Sequence, residues 1–247
     1  MHMDSKNGSG VRASASGFGT ALEVCLLAAV PMAMGLALVA GFAQTALLMM
    51  LVVTVVLALF FAGYEAGKPG LRQIMPTLVL AALAAAGRIL FAAVPDFKPV
   101  SAIAIIAGAT LGRRNGFMVG ALAALASNFF FGQGMWSPWQ MYAWGMVGYI
   151  GGVLADAGMF EDPATGRPRR LMLALCGLAS GALYGVIINA YGVLGFVRPL
   201  TVPGAIAYVA ASLPFDALHG VATAVFLSML YGPWTRRIRR VVRKYGV

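Results

Sequence analysis

Apolar residues run along this chain in long blocks separated by short polar breaks, and the blocks approach the roughly 20 residues that a helix needs to cross a bilayer. Bounded by charge, glycine or proline, they fall at 20–42, 45–64, 74–94, 99–112, 116–132, 137–158, 171–195 and 204–232. Eight helices are predicted. The fourth and fifth blocks are short for full spans, so they must tilt, extend or be shielded by the rest of the bundle. Residues 1–19 form a polar tail rich in Ser and Gly, and 233–247 form a basic tail. The first block lacks a clear small-residue cleavage site and reads as a retained helix rather than a removed signal.

One break differs from the others. From Asn128 to Trp144 the chain reads Asn-Phe-Phe-Phe-Gly-Gln-Gly-Met-Trp-Ser-Pro-Trp-Gln-Met-Tyr-Ala-Trp, gathering amides and three tryptophans at the end of an apolar block. Such groups are costly to leave unused in hydrocarbon, so they line a protected cavity or sit at the membrane interface.

Charge orients the predicted bundle. The tail from Arg236 to Lys244 should be cytoplasmic, because basic residues concentrate on that side. With eight helices, Lys6, Arg12, Lys68, Arg72, Arg113, Arg114, Arg167, Arg169 and Arg170 fall on the same side as the tail, and Lys98 and Arg198 on the other. Both termini are then cytoplasmic, and Pro95 to Pro99, Gly132 to Pro138 and Gly195 to Gly204 face outward. Composition supports an all-α integral membrane protein: 60% of residues are hydrophobic and 11% charged, against about 25% charged in a soluble domain. The net charge of +10 sits in short loops and a tail, which argues against nucleic acid as a partner.

Within the blocks, a few residues carry chemistry. Asn128, Gln133 and Gln140 both donate and accept, which suits the amide and heterocycle edges of a small molecule, although interhelical bonding uses amides equally. Trp136, Trp139 and Trp144 can stack on a flat ligand or form an interfacial belt. Arg88 lies inside the third block and must snorkel or pair; Asp216 and His219, three apart on one helix face, are the matching oddities in the last block. An Arg88–Asp216 pair, neutralising both without a ligand, is the expected arrangement. Asn189 and Tyr191 are weaker pocket candidates, and Glu23 and Asp156 read as interfacial or structural. Cys25 and Cys176 read as buried small hydrophobes, with no disulfide or metal spacing. No catalytic constellation or metal-ligand cluster emerges, so no enzyme activity is expected.

The stretch from about 74 to 232 resembles the substrate-binding S components of energy-coupling factor (ECF) vitamin transporters. The likeness is carried by Ala-Gly-Arg88-Ile-Leu-Phe, Pro95-Asp-Phe-Lys-Pro99, Gly108-Ala-Thr-Leu-Gly112-Arg-Arg-Asn-Gly116-Phe and Ser127-Asn128, and above all by Gly132-Gln-Gly-Met-Trp136-Ser-Pro-Trp139-Gln-Met141. The resemblance implies a six-helix core, 74–232, that binds a vitamin at its outer face in a bacterial inner membrane, with the branch handling cobalamin or its precursors most similar. Riboflavin, queuosine-type bases and other heterocycles stay open. It also implies partners, namely a membrane coupling subunit and two ATPases, because the chain itself has no phosphate-binding Gly-x-x-x-x-Gly-Lys-Ser/Thr loop. No cofactor of its own is expected, only a bound vitamin. Ala81, Ala82, Ala85 and Ala86 match where such proteins dock on their coupling subunit; small residues at this spacing equally serve packing within the chain. The departure from the pattern is the pair of additional helices at 20–64. A membrane enzyme or assembly factor with an outward cavity, and a self-sufficient carrier, are the alternative readings.

Overall fold

A computed structural model describes residues 19–40 and 45–246. Lys6, Arg12 and most of the polar N-terminal tail lie outside the described residues, as does the predicted end of the first block. Among the described residues eight helices follow in order: α1 Thr20–Ala40, α2 Thr45–Ala66, α3 Leu71–Leu90, α4 Val100–Leu111, α5 Arg113–Phe131, α6 Ser137–Asp156, α7 Arg170–Phe196 and α8 Val202–Tyr245. Among the described residues there is no sheet, only an isolated bridge between Glu161 and Pro168 in the loop after α6. Among the described residues four stretches, Leu47–Ala66, Leu71–Leu90, Arg170–Phe196 and Val202–Tyr245, are long and apolar enough to cross a membrane. Large apolar side chains such as Leu51, Leu83, Val186 and Met229 face outward along them. This is the surface of a multi-pass membrane protein, whose solvent is lipid.

The short α4 is tolerated because the protein covers it. Its 12 residues reach only about 18 Å, yet every residue from Val100 to Gly108 is buried. A single residue, Gly112, separates it from α5, with φ 94° and ψ 157°, a conformation that glycine enters without steric cost. The chain doubles back there, and a seam of glycines lets α4, α5 and α6 meet backbone to backbone. A Cβ at Gly116 or Gly148 would collide with the other's backbone, and one at Gly152 would meet the Arg113 Cα at 2.5 Å. This close approach sets the N-terminal end of α6 against the C-terminal end of α5, where the polar cluster lies.

The two leading helices pack on this core. Tyr142 of α6 donates to the Leu27 carbonyl of α1 at 2.5 Å, and Phe60 of α2 packs on Phe117 of α5, with ring centroids 4.0 Å apart. At the basic end, Glu23 of α1, 3% exposed, pairs with Arg114 of α5 at 3.0 Å. Tyr64 and Thr77 both donate to the Asn115 side chain.

Two expectations need correction. The last helix does not stop at 232: α8 runs 44 residues with Pro233 inside it, so the basic tail is helical. Tyr231 and Arg239 hold that extension by bonding Glu161 at 3.3 and 2.8 Å, which anchors the turn beyond the proline to the preceding loop. Cys25 is exposed rather than buried, while Cys176 is partly buried, and both are free. The phase of α1 turns Glu23, Leu27 and Val30 inward instead.

Candidate functional site

Helical phase carries Arg88 into the bundle. The buried face of α3 is Thr77, Leu80, Ala81, Ala84, Ala85 and Arg88, a repeat of three and four residues that makes one stripe. Arg88 is the last member of that stripe and only 8% exposed. One terminal nitrogen donates to Ser127 Oγ and to Asn128 Oδ1, both at 2.6 Å, and the other approaches Gln140 Oε1 at 3.5 Å. The guanidinium carbon lies 4.6 Å from the Phe131 ring centroid and 4.8 Å from that of Trp144, both within cation–π range.

The amides are cross-linked to one another. Asn128, fully buried, donates to Gln140 Oε1 at 2.9 Å and to Ser137 Oγ at 3.1 Å. Ser137 donates to Gln133 Oε1 at 2.7 Å, and Gln133 donates to the Leu125 carbonyl at 3.0 Å. Gln133 itself is exposed. Both ends of its amide are therefore engaged in closing the turn between α5 and α6, and its contribution is to position Ser137 and Asn128.

Aromatic rings extend the network inward. Trp144 packs on Tyr184 of α7 at 4.9 Å, and Tyr184 stacks on His219 of α8 at 4.5 Å. His219 Nε2 is 2.7 Å from Ser101 Oγ of α4. Arg88, Trp144, Tyr184, His219 and Ser101 thus link five helices in one continuous series of contacts. In the loop after α3, burial raises the Asp96 carboxyl above its ordinary value, Lys98 and Arg88 opposing and Asp216 reinforcing the rise. Burial also lowers Lys98, with Asp96 opposing.

The expected Arg88–Asp216 pair does not form. Asp216 accepts from Asn189 at 2.9 Å and from Ser212 at 3.0 Å, because Gly185 of α7 leaves room for its carboxylate where a Cβ would meet Oδ2 at 2.5 Å. Asn189 is accordingly committed to Asp216 rather than facing a pocket. Among the described residues ion pairs join Arg114 to Glu23 and Arg239 to Glu161, and no carboxylate lies within salt-bridge reach of Arg88.

The tryptophans separate into two kinds. Trp139 and Trp144 are 1% and 3% exposed, and neither indole N–H has an acceptor among the described residues. Trp139 packs on Tyr191 at 5.7 Å. Trp136, 42% exposed, lies against Gly134 at the surface, as an interfacial anchor does. The alanines divide as well. Ala81 and Ala85 are buried in the α3 stripe, whereas Ala82 and Ala86 are exposed beside Leu78, Leu83 and Leu90. Helix phase removes the first pair from any docking face.

Sequence reasoning passed over Ser101, Phe131, Ser137 and Tyr184 as site residues. Tyr184 carries a usable signal, since Gly181 and Gly185 flank it at the spacing that lets a neighbouring helix approach closely. A recess lined by Glu23, Leu26, Phe60, Gly63, Tyr64 and Arg114 lies at the opposite, basic end. Its Glu23 and Arg114 pair with each other, whereas no carboxylate pairs with Arg88 and the buried Trp144 N–H beside it has no acceptor, which makes the Arg88 network the stronger candidate. Among the described residues no three metal-ligating side chains converge.

Residues 68–242 match the model of a family of unknown function, DUF6580. The chain belongs to that family. The match spans α3 to α7 and nearly all of α8, taking in the whole Arg88 network and leaving α1 and α2 outside. No curated protein and no solved structure matches the chain.

Proposed function

We propose that this member of the DUF6580 family is a substrate-capturing membrane subunit of the S-component type. It binds a vitamin-like micronutrient at the outer face of the bacterial inner membrane and delivers it inward with an ATP-driven coupling module. The observation that carries this reading is the buried network of Arg88, Asn128, Gln140 and Trp144 at the end of the bundle opposite the basic residues. A charged group inside a membrane bundle is expensive and marks function by default. The positive-inside rule makes the basic end cytoplasmic and this end outer. Cobalamin or a precursor is the first ligand to test, on the strength of the Gly132 to Met141 motif.

The six helices α3 to α8 form the capturing core in this reading, and α1 and α2 are additions to it. The exposed face of α3 with Ala82 and Ala86 is where the coupling subunit docks, and two ATPases supply the energy. The test is uptake in proteoliposomes. The chain alone should bind its ligand and fail to accumulate it with ATP, whereas adding a coupling subunit and ATPases should start ATP-dependent accumulation. ATP-driven uptake by the chain alone would contradict the proposal.

A further inference from the structure

We propose that the solute captured here carries a carboxylate, and that Arg88 with the indole N–H of Trp144 forms its receptor; this rests on the capture reading above. The reason lies in the balance of donors and acceptors around Arg88. A guanidinium offers five N–H donors, and Arg88 meets three neutral oxygens, on Ser127, Asn128 and Gln140, the last at a long 3.5 Å. Asn128 already donates to that same Gln140 oxygen. Trp144, whose ring lies against the guanidinium, adds a buried N–H without an acceptor. Donors therefore outnumber acceptors around a buried positive charge.

The surrounding carboxylates do not correct this. Asp216 is occupied by Asn189 and Ser212, and Asp96 is beyond salt-bridge distance among the described ion pairs. A carboxylate supplies what is missing, since it accepts only, carries the opposite charge, and matches the planar fork of arginine. Of the groups touching the guanidinium, Ser127, Asn128 and Trp144 are buried, Gln140 is half-buried, and Phe131 is exposed at the end of α5. A ligand enters from the Phe131 side, and the Phe131 ring gives way to it.

The experiment is a binding titration of the purified full chain in detergent with matched acid and neutral probes: nicotinate and nicotinamide, biotin and biotinamide, pantothenate and pantothenol. Cobalamin is added as a neutral vitamin. At least one acid should bind about tenfold or more tighter than its neutral partner, the size of a charge-assisted hydrogen bond. Arg88→Gln should abolish that preference, and Trp144→Phe, which keeps a ring and removes the N–H, should weaken the acid severalfold. Asn128→Asp provides an internal carboxylate beside Arg88, so it should raise the thermal unfolding midpoint and exclude the acid. If Arg88→Gln does not fold, Asn128→Asp carries the test, and undiminished acid binding there overturns the proposal. Neutral probes binding as well as acids, or cobalamin binding undisturbed by Arg88→Gln, would overturn the carboxylate receptor and leave the capture function standing. Wild-type protein that binds none of the probes would count against both.

Discussion

The two ends of this bundle treat buried charge in opposite ways. At the basic end Oε2 of the buried Glu23 carboxylate is matched by Arg114 at 3.0 Å, although its Oε1 has no hydrogen-bond partner among the described residues, and the half-buried Glu161 is matched by Arg239 at 2.8 Å. At the other end Arg88 is just as deeply enclosed, and its polar neighbours are a hydroxyl and two amides. A paired charge inside a protein is a structural joint, because removing either partner exposes the cost of the other. A cation held among neutral acceptors is instead a site that an incoming anion completes. Burial of an ionisable group therefore says little until its partners are counted.

The largest effect should come from the buried tryptophan of the unpaired end. Trp139→Ala, at a position 1% exposed, should cost about 3–5 kcal/mol as a large-to-small core change. Trp136→Ala, at the surface, should leave stability nearly unchanged. Reversible unfolding in mixed detergent, run on both, checks the division of the aromatic cluster. Equal losses would merge the two kinds again.

The next prediction sets one arginine against the other. Arg114→Ala should destabilise by about 3 kcal/mol, because Glu23 is left buried and uncompensated. Arg88→Met should cost less, since it removes a charge that has no counter-ion and keeps the apolar contacts with Phe131 and Trp144. The same unfolding measurement ranks them. A larger loss for Arg88→Met would make it a structural joint like Arg114 and erase the contrast between the ends.

The smallest effect concerns the loop that anchors α8. Asp162 accepts from the Ala164 and Thr165 amides at 2.9 and 2.8 Å. Those bonds, the Thr165 amide first, hold its carboxyl below the ordinary value. A depressed carboxylate contributes stability that is present above its unfolded value, roughly pH 4, and is lost as pH falls through the lower folded value. The slight stability gap between wild type and Asp162→Ala should therefore be constant at neutral pH and close in acid. A gap that does not depend on pH would remove the ionised turn from the account.

Much of the helical plan was legible because periodicity and breaks are local. Each predicted block became a helix, and even α4, at 12 residues too short for a bilayer by length alone, follows from Gly112 and the glycine seam. Helix ends near proline were less legible: Pro95 forecasts the turn after Leu90 only loosely, and Pro233 does not end α8, whose continuation depends on the distant Glu161. The site was half visible. Asn128, Gln140, Trp144 and Arg88 were marked by being polar or aromatic at the end of an apolar block, and they do converge. What sequence could not supply was the choice of partner. Asp216 and Arg88 each needed a neighbour, and only Gly185 of a third helix determines that Asp216 turns toward Asn189. Likewise, four alanines in one run look alike, and rotation of α3 alone divides Ala81 and Ala85 from Ala82 and Ala86.

The central claim, that the unpaired end captures a small solute, is tested most directly by native mass spectrometry of the chain purified from cells. The account predicts a bound small molecule other than lipid on the wild type. It should be lost in Asn128→Leu, which removes the acceptor and donor at the centre of the network, and kept in Glu23→Gln at the paired end. Lipid alone on the wild type, or the same small molecule retained in Asn128→Leu, would contradict the claim.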